Sequence, residues 1–121
     1  MTASGPGSVL DEGIIADMRD LKTASGEPLL EKILRLFSSN APLVMKDLLA
    51  HRMMDQAHEL ADGAHALKSL CFNVGAMDAA RECDRLEIAA RTGSAFDVES
   101  HLEALSRELH LALSEVRRLQ D

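Results

Sequence analysis

The sequence predicts an all-α fold, an antiparallel up-down four-helix bundle with a short extra N-terminal helix capping one end. Three observations carry this. Ala, Leu, Met, Glu and Arg dominate the 121 residues, with no Trp or Tyr and only three Phe, and these types favour helix over strand. Apolar residues recur every three or four positions from Leu10 to Leu119, without the alternation of a half-buried strand. Short breaker-rich segments separate four long periodic stretches, which suits neighbours that run back along one another. The length corresponds to one domain, 9–121, able to bury about two-thirds of its unfolded surface.

Residues 1–8, Met-Thr-Ala-Ser-Gly-Pro-Gly-Ser, are small and rich in breakers and read as a flexible tail. Leu10, Ile14, Met18 and Leu21 then mark a short helix, with Asp11 in its first turn and Thr23–Gly26 ending it. Pro28 suits a first helical turn. After it, Leu29, Leu30, Ile33, Leu34, Leu36, Phe37, Ala41, Val44, Met45, Leu48 and Leu49 continue the helical spacing. Pro42 removes a backbone donor inside this stretch, so a kink or break is expected near Ser38 or Ser39. A third helix starts near Asp55 and carries Leu60, Ala64, Leu67, Cys71 and Val74, with Asn73 and Gly75 at its stop. The fourth, from about Ala76 to Arg91, turns Ala79, Ala80, Cys83, Leu86 and Ala90 inward. The fifth carries Val98, Leu102, Leu105, Leu109, Ala112 or Leu113, Val116 and Leu119, the cleanest seam in the chain.

Composition excludes several function classes. Lys and Arg total 13 against 20 Asp and Glu, a net charge of −7, which disfavours binding to nucleic acid and to anionic membranes. Three Phe cannot line a stacking surface or an aromatic pocket. No apolar run approaches the ~18 residues of a membrane span. The N-terminus lacks the features of a signal peptide, so the expected compartment is the cytoplasm. Cys71 and Cys83 read as small core residues. Counted from a turn at Asn73 they differ by roughly 12 Å in height, too far for a disulfide.

One histidine does not fit the core. In Ala61-Asp62-Gly63-Ala64-His65-Ala66-Leu67-Lys68-Ser69, His65 lies about 100° around the helix from Ala64 and so faces outward. Lys68 stands one turn along, and the other neighbours are small. Small neighbours let another surface approach the ring, a lysine offsets phosphoryl charge, and an imidazole can act as a nucleophile. From spacing alone a plain surface histidine is the readier explanation of the position.

His65-Ala66-Leu67-Lys68-Ser69 followed by Asn73-Val74-Gly75-Ala76 resembles the signature of histidine-containing phosphotransfer (HPt) domains, His-x-Leu-Lys-Gly and then Gly-Ala. Leu10-Asp11, Leu36-Phe37, Asn40-Ala41-Pro42 and Leu86-Glu87 extend the resemblance over nearly the whole chain after the tail. It implies a phosphorelay intermediate. His65 would exchange a phosphoryl group, on Nε2, with the aspartate of a response-regulator receiver domain. Lys68 would steady the phosphoryl oxygens, and Glu87 would accept a hydrogen bond from Nδ1–H. The partners implied are receiver domains and a hybrid histidine kinase, with the chain a monomer. It would need no cofactor of its own, because the receiver supplies Mg²⁺. Receiver docking would rest on Ala61, Asp62, Ala66, Ser69, Phe72 and, from the first helix, Ile15. Ser69 stands where the family prefers Gly, and Leu70-Cys71 replace a small polar pair.

Other readings compete. His58, Asp62 and His65 share one helix face at metal-ligand spacing, although bundle metal sites point into the core. A helical adaptor without chemistry is the other alternative. A kinase dimerisation domain usually has an acidic residue directly after its histidine, where Ala66 stands, and 121 residues leave no room for an ATP-binding domain. His51, His58, His101 and His110 read as solvated helix residues, Met45, Met53, Met54 and Met77 as core or turn filler, and Arg117-Arg118 as a favourable charge at a helix C-terminus.

Overall fold

The computed structural model describes residues 9–121; the expected tail, 1–8, lies outside them. Five helices follow in order: α1 (Glu12–Arg19), α2 (Leu29–Met53), α3 (Ala57–Asn73), α4 (Met77–Thr92) and α5 (Ala95–Gln120). Among the described residues there is no strand, only an isolated bridge between Lys22 and Pro28. Helix α2 packs on α3, α3 on α4, α4 on α5 and α5 back on α2, and α1 rests on α2. The buried residues of all five helices form one cluster, and every buried residue in it is apolar. Phe37, Leu48, Leu67, Leu86 and Leu105 are its largest fully buried side chains.

Local chemistry sets the boundaries. Asp11 caps α1 by accepting from the Ile14 amide at 3.0 Å, and Ser94 caps α5 by accepting from the Asp97 amide at 3.3 Å. Gly93 ends α4 in the left-handed region, at φ 78°. Gly75, at φ 77°, makes the α3–α4 turn, and its carbonyl accepts the Asp11 amide at 2.8 Å. A Cβ on Gly75 would come within 2.9 Å of that amide nitrogen. The start of α1 is therefore pinned to the α3–α4 turn. On α3, a Cβ on Gly63 would come within 2.7 Å of the Leu48 side chain, so this glycine lets α3 lie close on α2 just ahead of His65.

Four expectations change. Helix α1 is shorter than its periodicity implies, and it buries Ile15 and Met18 while Leu21 is 51% exposed. Leu10 lies before the Asp11 cap, so the helical count starts after it and Ile15 replaces Ile14 as the inward residue. Of the kink or break expected at Pro42, the break does not occur: helix α2 runs on through it, held along one face by the burial of Leu34, Phe37, Ala41, Met45 and Leu48. Asp55 does not cap α3. It occupies the left-handed region at φ 56° in the preceding turn, and α3 begins two residues later.

The fourth is the height difference between the cysteines, which are otherwise the small buried core residues expected, with no disulfide. Both thiols are free and buried, and the neighbouring Cys71 thiol first and burial next push the Cys83 thiol up. The turn centres on Gly75 rather than Asn73, which halves the height difference to about 6 Å. Side chains tilt toward the N-terminus of their own helix, so Cys71 leans away from the turn and Cys83 toward it.

Candidate functional site

The site lies across the outer faces of α3 and α4. On α3, Leu60, Ala64, Leu67 and Cys71 are buried against the core, which leaves Asp62, His65, Ala66 and Ser69 on the exposed side and Lys68 half-buried at the seam. On α4, burial of Ala79, Ala80, Cys83, Leu86 and Ala90 turns Asp84, Glu87 and Arg91 toward α3. Residues at i, i+3 and i+7 share a helix face, and Asp84, Glu87 and Arg91 have that spacing.

Three contacts join the helices in order. Asp62 meets Arg91 at 3.1 Å, His65 meets Glu87 at 3.1 Å, and Lys68 meets Asp84 at 3.0 Å. As the α3 residue advances, its α4 partner recedes, so the two helices run antiparallel through the site. Glu87 sits at the centre. Its Oε1 faces Nδ1 of His65 and lies 3.9 Å from Lys68 Nζ, while its Oε2 accepts from Arg91 Nη2 at 3.0 Å and from Nε at 3.2 Å. Its side chain is 16% exposed, whereas that of His65 is 61% exposed.

The charge states follow from these neighbours. Partial burial opposes ionisation of Glu87, but the hydrogen bonds from His65 and Arg91 outweigh it and hold the carboxyl below its ordinary range. An ionised carboxylate only accepts. The proton between it and the imidazole therefore resides on Nδ1, and in the neutral ring Nε2 keeps its lone pair. The Asp84 carboxylate, by its hydrogen bond, raises the Lys68 pKa despite partial desolvation. Arg91 is raised by Asp62 first and by Glu87 next. Nε2 of His65 is thus a nucleophilic nitrogen at an exposed position, with a cation one helical turn away.

The structure brings His65, Lys68 and Glu87 together. It places Ala66, Ser69 and Phe72 on the exposed side of α3, with Phe72 45% exposed. Phe72 also lines a shallow cleft with Lys68, Met77, Ala80, Arg81 and Asp84. Two expected docking residues have no surface to offer. Ala61 is fully buried in the α3 seam and Ile15 is 5% exposed beneath α1, because each falls on the core side of its helix. Asp62 is exposed but engaged, by Arg91 and by His58 at 3.2 Å. His58 and His65 do not converge, since one pairs along α3 and the other turns to α4. Among the described residues no group of three or more His, Cys, Asp or Glu is placed to hold a metal ion.

Sequence reasoning missed Asp84 and Arg91. Once Glu87 is set opposite His65, the residues one turn either side of it on α4 necessarily face Lys68 and Asp62. That signal was present in the spacing.

Fold and site together define an all-helical protein that displays a carboxylate-held histidine beside a lysine. Residues 32–119 match the sequence model of the Hpt domain, well over half of the chain, and the chain belongs to that family. Domains of this family carry out histidine-containing phosphotransfer in two-component systems. No curated protein and no solved structure matches the chain.

Proposed function

We propose that this chain is a phosphorelay intermediate that carries a phosphoryl group on Nε2 of His65. It takes the group from the phospho-aspartate of one receiver domain and gives it to the aspartate of another. The observation that supports this most directly is the 3.1 Å contact between Nδ1 of His65 and Oε1 of Glu87, which leaves Nε2 as the free, exposed nitrogen. In the forward step, Nε2 forms a bond to phosphorus as the bond to the aspartyl oxygen breaks, and that oxygen keeps the electron pair. Glu87 stabilises the positive charge that develops on the ring through Nδ1–H. Lys68 offsets the charge on the phosphoryl oxygens. The receiver contributes Mg²⁺ and its carboxylates, so this chain needs no metal of its own.

The helix order and contacts support an antiparallel up-down bundle of α2–α5, within residues 9–121, with α1 across one end. The docking face would be the exposed side of α3, Ala66, Ser69 and Phe72 beside Asp62. With a net charge of −7, docking to an acidic receiver pocket would rest on apolar contact. Receiver domains, one of them borne by a hybrid kinase, would be the partners of a monomer acting in the cytoplasm. No helix of the described residues is long and apolar enough to cross a membrane.

The test is transfer of labelled phosphate from phosphorylated receiver domains of the source organism. Acid-labile label on the wild type that is absent from His65→Gln is the expected result. Label that persists in the variant would place the chemistry elsewhere.

A further inference from the structure

Lys68 is not idle while His65 is free. Its ammonium is 3.0 Å from Oδ1 of Asp84 and 3.9 Å from Oε1 of Glu87. Its side chain is 22% exposed, and that of Asp84 is 51% exposed. Glu87 is already committed to His65 and Arg91. Asp84 makes its one side-chain hydrogen bond to Lys68. A phosphoryl group on Nε2 brings a charge of nearly −2 to the same neighbourhood, and a single ammonium cannot serve it and Asp84 in full. The lysine is flexible and a point charge with rotatable donors, so it can leave one anion for the other.

We propose that Asp84 is a resting-state latch on Lys68 that competes with the phosphoryl group and thereby raises the tendency of phospho-His65 to give it up. This rests on the phosphocarrier reading of His65. The latch acts on both sides of the equilibrium. It stabilises the free form by pairing Lys68, and it destabilises the phosphorylated form by withholding the lysine and by like-charge repulsion. When the group leaves, the bond between phosphorus and Nε2 breaks, the electron pair returns to Nε2, and Lys68 falls back onto Asp84. Asp84 touches neither the nitrogen nor the incoming group, so it is a positioning residue.

The experiment uses the full chain and phosphoramidate as the probe. Phosphoramidate and neutral His65 give phospho-His65 and ammonia, so a fixed excess of ammonium sets an equilibrium whose phosphorylated fraction is read by ³¹P NMR. The ratio of phosphorylated to free protein in Asp84→Asn is expected to exceed that of the wild type about two- to fivefold, the range of an exposed ion pair. Asp84→Glu should restore the wild-type ratio. Glu103→Gln, an equal change of net charge on exposed α5, should match the wild type. In a Lys68→Ala background the Asp84→Asn effect should shrink, because the coupling passes through the lysine.

An unchanged or lowered ratio in Asp84→Asn would overturn the latch and leave the phosphocarrier intact. An undiminished effect in the Lys68→Ala background would overturn it also, in favour of plain charge repulsion. A wild type that takes no label on His65 would instead sink the phosphocarrier reading, and the latch with it.

Discussion

Nδ1 of His65 and Oε1 of Glu87 stand 3.1 Å apart across 22 residues of sequence, one on α3 and the other on α4. The contact fixes which imidazole nitrogen holds the proton and which is free. It also makes the site a property of two packed helices, because α3 alone would leave the ring unoriented. His65→Gln is therefore expected to abolish phosphoryl acceptance while leaving the helical circular dichroism and the melting temperature nearly unchanged, since the ring is 61% exposed. Unfolding of the variant would show that the ring is structural.

Glu87 gives a pH-dependent prediction. Its carboxyl lies below the ordinary 4.5, with burial opposing the shift and His65 and Arg91 producing it. A depressed carboxyl contributes stability that is present above the unfolded value and is lost as pH falls through the folded value. The difference in melting temperature between wild type and Glu87→Gln should thus shrink steadily as pH falls below 4.5. A difference that grows as pH falls below 4.5 would contradict the charge assignment. The amide oxygen of Gln can still accept from Nδ1–H, so this variant should keep transferring where Glu87→Ala fails.

Lys68 should matter for rate and not for folding. Loss of a charge-assisted contact that strengthens in the transition state costs roughly 1.5–3 kcal/mol, or about tenfold to a hundredfold in rate. Stopped or quenched transfer kinetics of Lys68→Ala would measure it. A wild-type rate would remove the lysine from the mechanism.

Gly75 ties the site's scaffold to α1. A residue with a Cβ at φ 77° costs about 1–2 kcal/mol, and here the Cβ would also press on the Asp11 backbone at 2.9 Å. Gly75→Ala should lower the melting temperature and loosen amide protection at the start of α1, measured by hydrogen exchange. Gly26, also at positive φ but with nothing within 4 Å of its Cβ position, should show the backbone cost alone when changed to Ala.

These glycines also show why some of the architecture was legible and some was not. The buried faces of α3, α4 and α5 follow the periodicity apart from Ala61 and Ala89, buried beside the stripes, and Leu119, partly buried at the end of α5, because a core-facing stripe must repeat as the helix turns. The outward position of His65 was legible for the same reason. Boundaries were less so. Asp55 has the composition of a cap but the backbone of a turn, and Pro42 removes a hydrogen bond without ending a helix whose apolar face is buried on both sides of it. Ala61 and Ile15 were misplaced as docking residues because a small or apolar residue at a stripe's edge reads alike in either direction. The Asp62–Arg91 and Lys68–Asp84 pairs follow from the α4 spacing only once Glu87 is set opposite His65, and that register depends on how α3 and α4 are matched across the turn.

The last prediction concerns Ser69, the departure from the signature. Ser69 is one turn beyond His65 and exposed on the same side of α3, so its side chain borders the path to Nε2. Near-attack geometry requires the aspartyl phosphorus to come within about 3–3.5 Å of that nitrogen. A hydroxymethyl rotates aside at little cost, and its hydroxyl can bond back to its own helix. Glycine there would relieve the crowding but cost about 0.5 kcal/mol in helix propensity relative to serine. Ser69→Gly should therefore melt slightly lower and transfer at an equal or higher rate. A leucine cannot clear the path by rotation, because its branch fills the space above the ring in either helical rotamer. Ser69→Leu should keep the fold, since the position is solvent-facing, and block exchange with a phospho-receiver while phosphoramidate, a small donor, still labels His65. Normal receiver exchange by Ser69→Leu would show that the partner does not approach over this side of α3. Loss of both donors at once would show that the leucine distorts the histidine itself rather than the docking face.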